Sequence, residues 1–235
     1  MEFLLDTIHL DAIKRYVKVI PLAGVTSNPS IVKKEGKIDL FTHLKTVRSI
    51  IGDQATLHVQ VVSENTEGMI KDAHTVLENV DRNVYIKVPV TEAGLAAIKR
   101  LKQENVNVTA TAIYTKFQGY LAIQAGADYI APYFNRMENM NIDAKASVAE
   151  LAKAIERTGS RTKILAASFK NVGQVNTAFE AGAQAATMSA DILASALGMP
   201  AINKAVTDFT ADWESVFGKG ETIYTLAKDT ITTGK

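Results

Sequence analysis

The chain has 235 residues, 47% of them hydrophobic, enough to bury one large core and in the size range of single-domain α/β barrels. Lysine and arginine number 26 against 25 aspartates and glutamates, a net charge of +1, so no global field favours nucleic acid or an anionic membrane. The absence of cysteine excludes disulfides, thiolate nucleophiles and sulfur-ligated metals together, and suits a reducing cytoplasm.

The opening Met-Glu-Phe-Leu-Leu-Asp carries no basic leader, and the apolar runs near it are too short for a signal or a membrane span, so a soluble cytoplasmic protein is expected. Eight short, β-rich runs then follow in order: Phe3 to Leu5, Leu22 to Thr26, Thr56 to Val62, Val84 to Val88, Asn107 to Ile113, Tyr129 to Tyr133, Lys163 to Ala167 and Ala185 to Met188. Between them lie segments of helical period, among them Asn65 to Asn79, Thr91 to Glu104, Thr115 to Ala125, Lys145 to Arg157 and Val172 to Ala181. Repeated βα units predict a parallel sheet, and eight of them predict an α/β fold, a single (β/α)8 TIM barrel.

Boundary signals support this reading. Thr91 before Glu92 marks a helix start, and Ala-Gly-Ala at 125–127 and again at 181–183 marks two helix ends ahead of strands. The polar stretch Lys33 to Asp39, with Gly36, reads as an exposed connection. Pro200 breaks the pattern after the eighth run. Asn203 to Phe217, with Trp213, reads as an additional C-terminal helix suited either to subunit contact or to capping the barrel bottom. The expected organisation is a barrel with this helix over 1–218 and a tail over 219–235 that is mobile or reaches a neighbouring subunit.

Barrels of this kind gather their chemistry at the C-terminal ends of the strands. The polar residues predicted there are Asp6, Thr26, Asn28, Gln60, Lys87, Thr109, Thr111, Tyr133, Arg136 and Ser168. Lys87 stands out because Val84 to Val90 is otherwise nearly all apolar. Burial there disfavours the ammonium, and a neutral amine is the form that attacks a ketone to make an iminium ion. The plain alternative is a structural lysine that reaches the barrel rim or pairs with Asp6.

Asp6 suits either proton transfer or the capping of a helix starting near Ile8 to Leu10. Thr26 and Asn28 suit sugar hydroxyls, although Asn28-Pro29 is equally a helix-start signal. Gln60, Thr111 and Tyr133 together can hold a water. Arg136 with Ser168 has the make-up of a phosphate anchor, against a surface salt bridge as the bland reading of Arg136.

The histidines add little. His9, His43 and His74 fall on predicted helices without metal-ligand spacing, and His58 shares the strand parity of Gln60 and reads as a packed core histidine. No dinucleotide or Walker-type loop is present, and no cofactor or metal is called for.

These residues sit in segments that resemble the small transaldolase family, and within it the fructose-6-phosphate aldolase branch. The segments are Leu-Asp-Thr (5–7), Pro-Leu-Ala-Gly-Val-Thr-Ser-Asn-Pro-Ser-Ile (21–31), Val-Gln-Val (59–61), Ile-Lys-Val-Pro-Val-Thr (86–91), Gly-Leu-Ala-Ala-Ile-Lys (94–99), Ala-Pro-Tyr-Phe-Asn-Arg (131–136), Leu-Ala-Ala-Ser-Phe-Lys (165–170) and Asp-Trp (212–213).

The resemblance implies Lys87 as the Schiff-base nucleophile, Asp6 as the proton-transfer carboxylate, Thr26 and Asn28 around the sugar, and Arg136 and Ser168 on its phosphate. It also implies sugar phosphates as partners, no metal, and homo-oligomers of five or ten subunits. Gln60 and Tyr133 stand where the aldolases carry Gln and Tyr and the transaldolases carry Glu and Phe, so the resemblance leans to cleavage of fructose 6-phosphate. Transfer of a dihydroxyacetone unit in the pentose phosphate pathway is the alternative, and a non-catalytic sugar-phosphate binder a third reading. His58, Ser27 and the long tail after Gly218 depart from the branch's pattern.

Overall fold

The computed structural model describes residues 1–232, with side chains described to residue 227. Two compact units are distinguished, Met1–Leu193 and Ala194–Lys235. The first is a closed barrel of eight parallel strands in sequence order. These are β1 Glu2–Asp6, β2 Leu22–Thr26, β3 Thr56–Gln60, β4 Tyr85–Pro89, β5 Val108–Ile113, β6 Tyr129–Pro132, β7 Lys163–Ala166 and β8 Ala185–Met188. The helices in chain order are α1 Leu10–Tyr16, α2 Pro29–Glu35, α3 Leu40–Ile51, α4 Thr66–Asn79, α5 Glu92–Gln103, α6 Lys116–Gln124, α7 Phe134–Asn139, α8 Ala144–Thr158, α9 Val172–Glu180 and α10 Ala190–Leu197. All eight predicted strands are found, each within two residues of its expected ends.

Local chemistry explains most helix boundaries. Asn28, Asp39, Asn65, Thr91, Thr115, Asp143 and Asn171 each accept a backbone N–H of the first turn that would otherwise lack a partner. Both Ala-Gly-Ala runs end helices as expected. Gly126 and Gly182 adopt φ of +85° and +100°, and the alanine after each donates back to the carbonyl five residues earlier. The stretch from Lys33 differs from expectation: Lys33 to Glu35 form the last turn of α2, and the chain leaves the helix at Gly36, where φ is +77°.

Strand alternation divides the core in two. Leu5, Val25, Leu57, Val59, Ile86, Val88, Val108, Ala110, Ile130 and Ile164 join the aliphatic layer beneath the helices. The opposite faces point into the barrel, where Leu4, Tyr129 and Leu165 form a small lower cluster and Ala131, Tyr133 and Ala167 an upper one. Interior positions are consequently free of the demand for continuous apolar packing, and the buried Thr26, His58, Lys87, Thr109, Thr111 and Thr187 lie there.

The second unit contains α11 Pro200–Phe217 and α12 Ile223–Thr232. Pro200 starts α11 at its first turn, where the missing N–H costs nothing. No residue of α11 is buried, and Val206, Phe209 and Val216 are exposed. The predicted tail over 219–235 runs past the described residues. Among those described, no helix is long and apolar enough to cross a membrane.

Candidate active site

Lys87 lies on β4 at the level of Gln60 on β3 and Thr109 on β5, its register partners. It is 3% exposed, and its Nζ donates to the Ser27 carbonyl at 2.8 Å. Neither a rim lysine nor a direct ion pair describes it. Burial pushes the ammonium below the usual lysine pKa, and the Asp6 carboxylate pulls the other way without cancelling the shift. The flanking Val84, Ile86, Val88 and Val90 all belong to the helix-facing layer. Desolvation of Lys87 thus comes from barrel closure, rather than from the apolar residues beside it in sequence.

Asp6 ends β1 opposite Thr26 of β2. Thr26 Oγ1 donates to Asp6 Oδ1 at 2.6 Å and stands 2.7 Å from Thr187 Oγ1. The helix-cap alternative for Asp6 falls away, because α1 starts at Leu10 with His9 in the cap position. Asn28 does cap a helix: its Oδ1 accepts from Ile31 N at 3.0 Å, which leaves the amide nitrogen as the donor available to a ligand.

Thr111 and Tyr133 meet with their hydroxyls 3.0 Å apart, and burial raises the Tyr133 phenol above its usual value. Gln60 Oε1 is buried without a hydrogen-bond partner. Such an acceptor is costly to leave unmet, and it suits a bound hydroxyl or water.

Arg136 is exposed on α7, its guanidinium 4.8 Å from the centroid of the Tyr133 ring and donating to the Tyr114 hydroxyl at 3.1 Å. That bond raises its already high pKa, so it stays cationic. Ser168 follows β7 in the left-handed region, φ +63°, and its carbonyl accepts from Asn135 N at 2.9 Å. A strained non-glycine backbone at a strand end is a feature of functional sites.

The Asp6 charge acts on the Tyr133 phenol as well as on Lys87, so the structure brings Asp6, Thr26, Lys87, Thr111, Tyr133 and Arg136 into one group, with Gln60 beside Lys87 in register. Among the described residues, no three of His, Asp and Glu converge to hold a metal ion. Three participants were not foreseen: the Ser27 carbonyl, Tyr114 and Thr187. A backbone carbonyl leaves no mark in a sequence. Thr187 does leave one, as the polar residue in Ala185 to Met188 that shares the inward parity of the eighth strand.

The remaining histidines are tied down. His58 is fully buried between Thr109 and Thr56, each 2.8 Å away, and the half-buried His43 meets the Ile8 carbonyl through Nε2 at 2.7 Å. His9 and His74 pair at the surface with Glu35 and Glu104.

Comparison with known proteins adds three findings. The family model described as Transaldolase/Fructose-6-phosphate aldolase matches residues 3–233. A protein of Streptococcus pneumoniae (strain ATCC 700669 / Spain 23F-1) named "Probable fructose-6-phosphate aldolase" is 58% identical over 213 residues, covering 91% of this chain and 96% of its own. A crystal structure from Coccidioides immitis, provisionally assigned as a deoxyribose-phosphate aldolase, superposes with a TM-score of 0.59 at 14% identity, over 81% of this chain and 82% of that one. At that identity it bears on the barrel fold alone.

Proposed function

Since the chain belongs to the transaldolase/fructose-6-phosphate aldolase family, we propose that it cleaves and forms fructose 6-phosphate, with dihydroxyacetone and glyceraldehyde 3-phosphate as the other partners, through an iminium ion on Lys87. The observation that carries this reading is an amine almost wholly removed from water at the catalytic end of a barrel, within the field of a carboxylate. The neutral Lys87 amine attacks the C2 ketone, and loss of water gives the iminium. Asp6 takes the proton of the C4 hydroxyl, the C3–C4 bond breaks, and its electron pair moves to the iminium to leave an enamine. The aldehyde departs.

The enamine then gains a proton at carbon, and water hydrolyses the resulting iminium ion to dihydroxyacetone and the free Lys87 amine. Tyr133, with Thr111 and Gln60, is the group suited to deliver that proton and hold that water, because phenol, hydroxyl and unpartnered amide oxygen supply both donors and acceptors. Arg136, a permanent cation, and Ser168 suit the phosphate. Asn28 offers an amide donor, and Thr26 a second lone pair, to sugar hydroxyls.

Transfer of the dihydroxyacetone unit to a second aldehyde is the competing reading. Gln60 and Tyr133 favour hydrolysis, since both help manage water. Release of free dihydroxyacetone from fructose 6-phosphate alone, set against transfer to erythrose 4-phosphate, decides it: transfer without release overturns the aldolase assignment. Borohydride reduction with dihydroxyacetone, followed by peptide mapping, tests the nucleophile. An unmodified Lys87 peptide in an active enzyme overturns the mechanism; turnover unchanged in Lys87→Met favours a different catalytic site, and sugar-phosphate binding without turnover in both parent and variant favours a mere binder.

A cytoplasmic homo-oligomer of five or ten subunits completes the proposal. The exposed Val206, Phe209 and Val216 of α11 support association, and light scattering of the purified protein measures it.

A further inference from the structure

Thr187 is a buried hydroxyl on the inner face of β8, 1% exposed, to which the chemistry above assigns no task. Its position follows from closure of the barrel: β8 pairs with β1 on one side and β2 pairs with β1 on the other. The Thr187 and Thr26 side chains meet across β1, with their oxygens 2.7 Å apart, and Thr26 Oγ1 lies 2.6 Å from Asp6 Oδ1.

Hydrogen counting gives this chain a direction. A threonine hydroxyl carries one hydrogen, and an ionised carboxylate accepts only. The Thr26 hydrogen is therefore committed to Asp6, and the hydrogen between the two threonines must come from Thr187. Without that donation the Thr26 hydroxyl is free to rotate towards other acceptors.

We infer that Thr187 is a positioning residue for the proton-transfer step: acting through Thr26, it holds the Asp6 carboxylate by Oδ1 and reserves Oδ2 as the oxygen that takes the substrate's hydroxyl proton. The chain survives that transfer. Once Oδ2 carries the proton, Oδ1 becomes the carbonyl oxygen of the acid and still accepts from Thr26, so no bond in the series breaks or reverses. The charge-assisted bond at Oδ1 is the strong one of the pair, and the neutral Thr187–Thr26 bond keeps it aimed.

This inference rests on the proposed Lys87 chemistry, and its test separates the two. Borohydride trapping of dihydroxyacetone reports iminium formation, which does not need Asp6 to deprotonate C4. Single-turnover release of glyceraldehyde 3-phosphate from fructose 6-phosphate reports bond cleavage, and is common to aldolase and transferase. Thr187→Val keeps shape and removes the hydroxyl. It is expected to trap like the parent yet cleave about tenfold more slowly, the loss of one well-placed hydrogen bond. Thr187→Ser restores cleavage to within about threefold.

In a Thr26→Val background, Thr187→Val adds no further loss, because the link it works through is already gone. If the valine variant does not fold, Thr187→Ala is read by the same measurements. Unchanged cleavage in the valine variant, equal losses of trapping and cleavage, or additive losses with Thr26→Val overturns the inference. Cleavage persisting in Lys87→Met overturns the underlying mechanism instead.

Discussion

Replacing His58 by phenylalanine tests how the barrel interior accommodates a buried imidazole. Thr56 Oγ1 already donates to the Ala23 carbonyl at 3.3 Å, so it accepts from His58 Nε2–H; Nδ1 is then the acceptor for the Thr109 hydroxyl. The ring stacks on Tyr85 with centroids 4.8 Å apart and meets Tyr129 edge-on at 5.3 Å. His58→Phe retains the ring and removes both hydrogen bonds. It strands the Thr109 hydroxyl, for which an unmet buried donor costs roughly 1–3 kcal/mol. Adding Thr109→Val removes the stranded group and should recover much of that loss.

The pH dependence gives the sign. Burial, then the charges of Lys87 and Arg48, hold the His58 pKa well below the usual 6.5 in the folded protein. The unfolded chain therefore takes the proton first as pH falls. The His58 contribution to stability is full above about pH 6.5 and declines from there towards the folded pKa, by at most about 1.4 kcal/mol per pH unit. His58→Phe lacks this term, so its deficit at pH 8 narrows in acid. Urea unfolding at fixed protein concentration between pH 8 and pH 5.5 measures it. A deficit of the same size at both ends, or no recovery with Thr109→Val, refutes the neutral, doubly bonded imidazole.

Three further outcomes are expected. Lys87→Met abolishes cleavage but raises stability at neutral pH, because a lysine whose folded pKa is depressed below 10.5 loses stability as pH falls towards that pKa and methionine does not; a fall in the thermal midpoint contradicts this. Arg136→Ala raises the KM for fructose 6-phosphate by about ten- to a hundredfold and leaves dihydroxyacetone trapping intact, as steady-state kinetics with phosphorylated and unphosphorylated substrates will show. Gly94→Ala puts a Cβ 1.9 Å from the Pro89 carbonyl oxygen, a backbone atom that cannot swing aside. It costs about 2–4 kcal/mol by denaturant unfolding, and wild-type stability rejects the close approach.

The sequence by itself determined the order and number of the strands, the two Ala-Gly-Ala helix ends, the Thr91 start and the isolated charge in the fourth strand. Each of these depends on neighbours within a few residues: alternation, capping and turn preference act locally and leave a readable trace. Lys33 to Glu35 were misjudged because polar residues suit a helix's exposed last turn as well as a loop. Only the tertiary structure decided what desolvates Lys87, which carbonyl its amine meets, and that hydroxyls 161 residues apart, on Thr26 and Thr187, touch beside Asp6. Those contacts are set by the registers between strands, of β2, β3 and β4 for Lys87 and of β8 on β1 for the two threonines, and register depends on the packing of the whole barrel, which no short stretch of chain specifies.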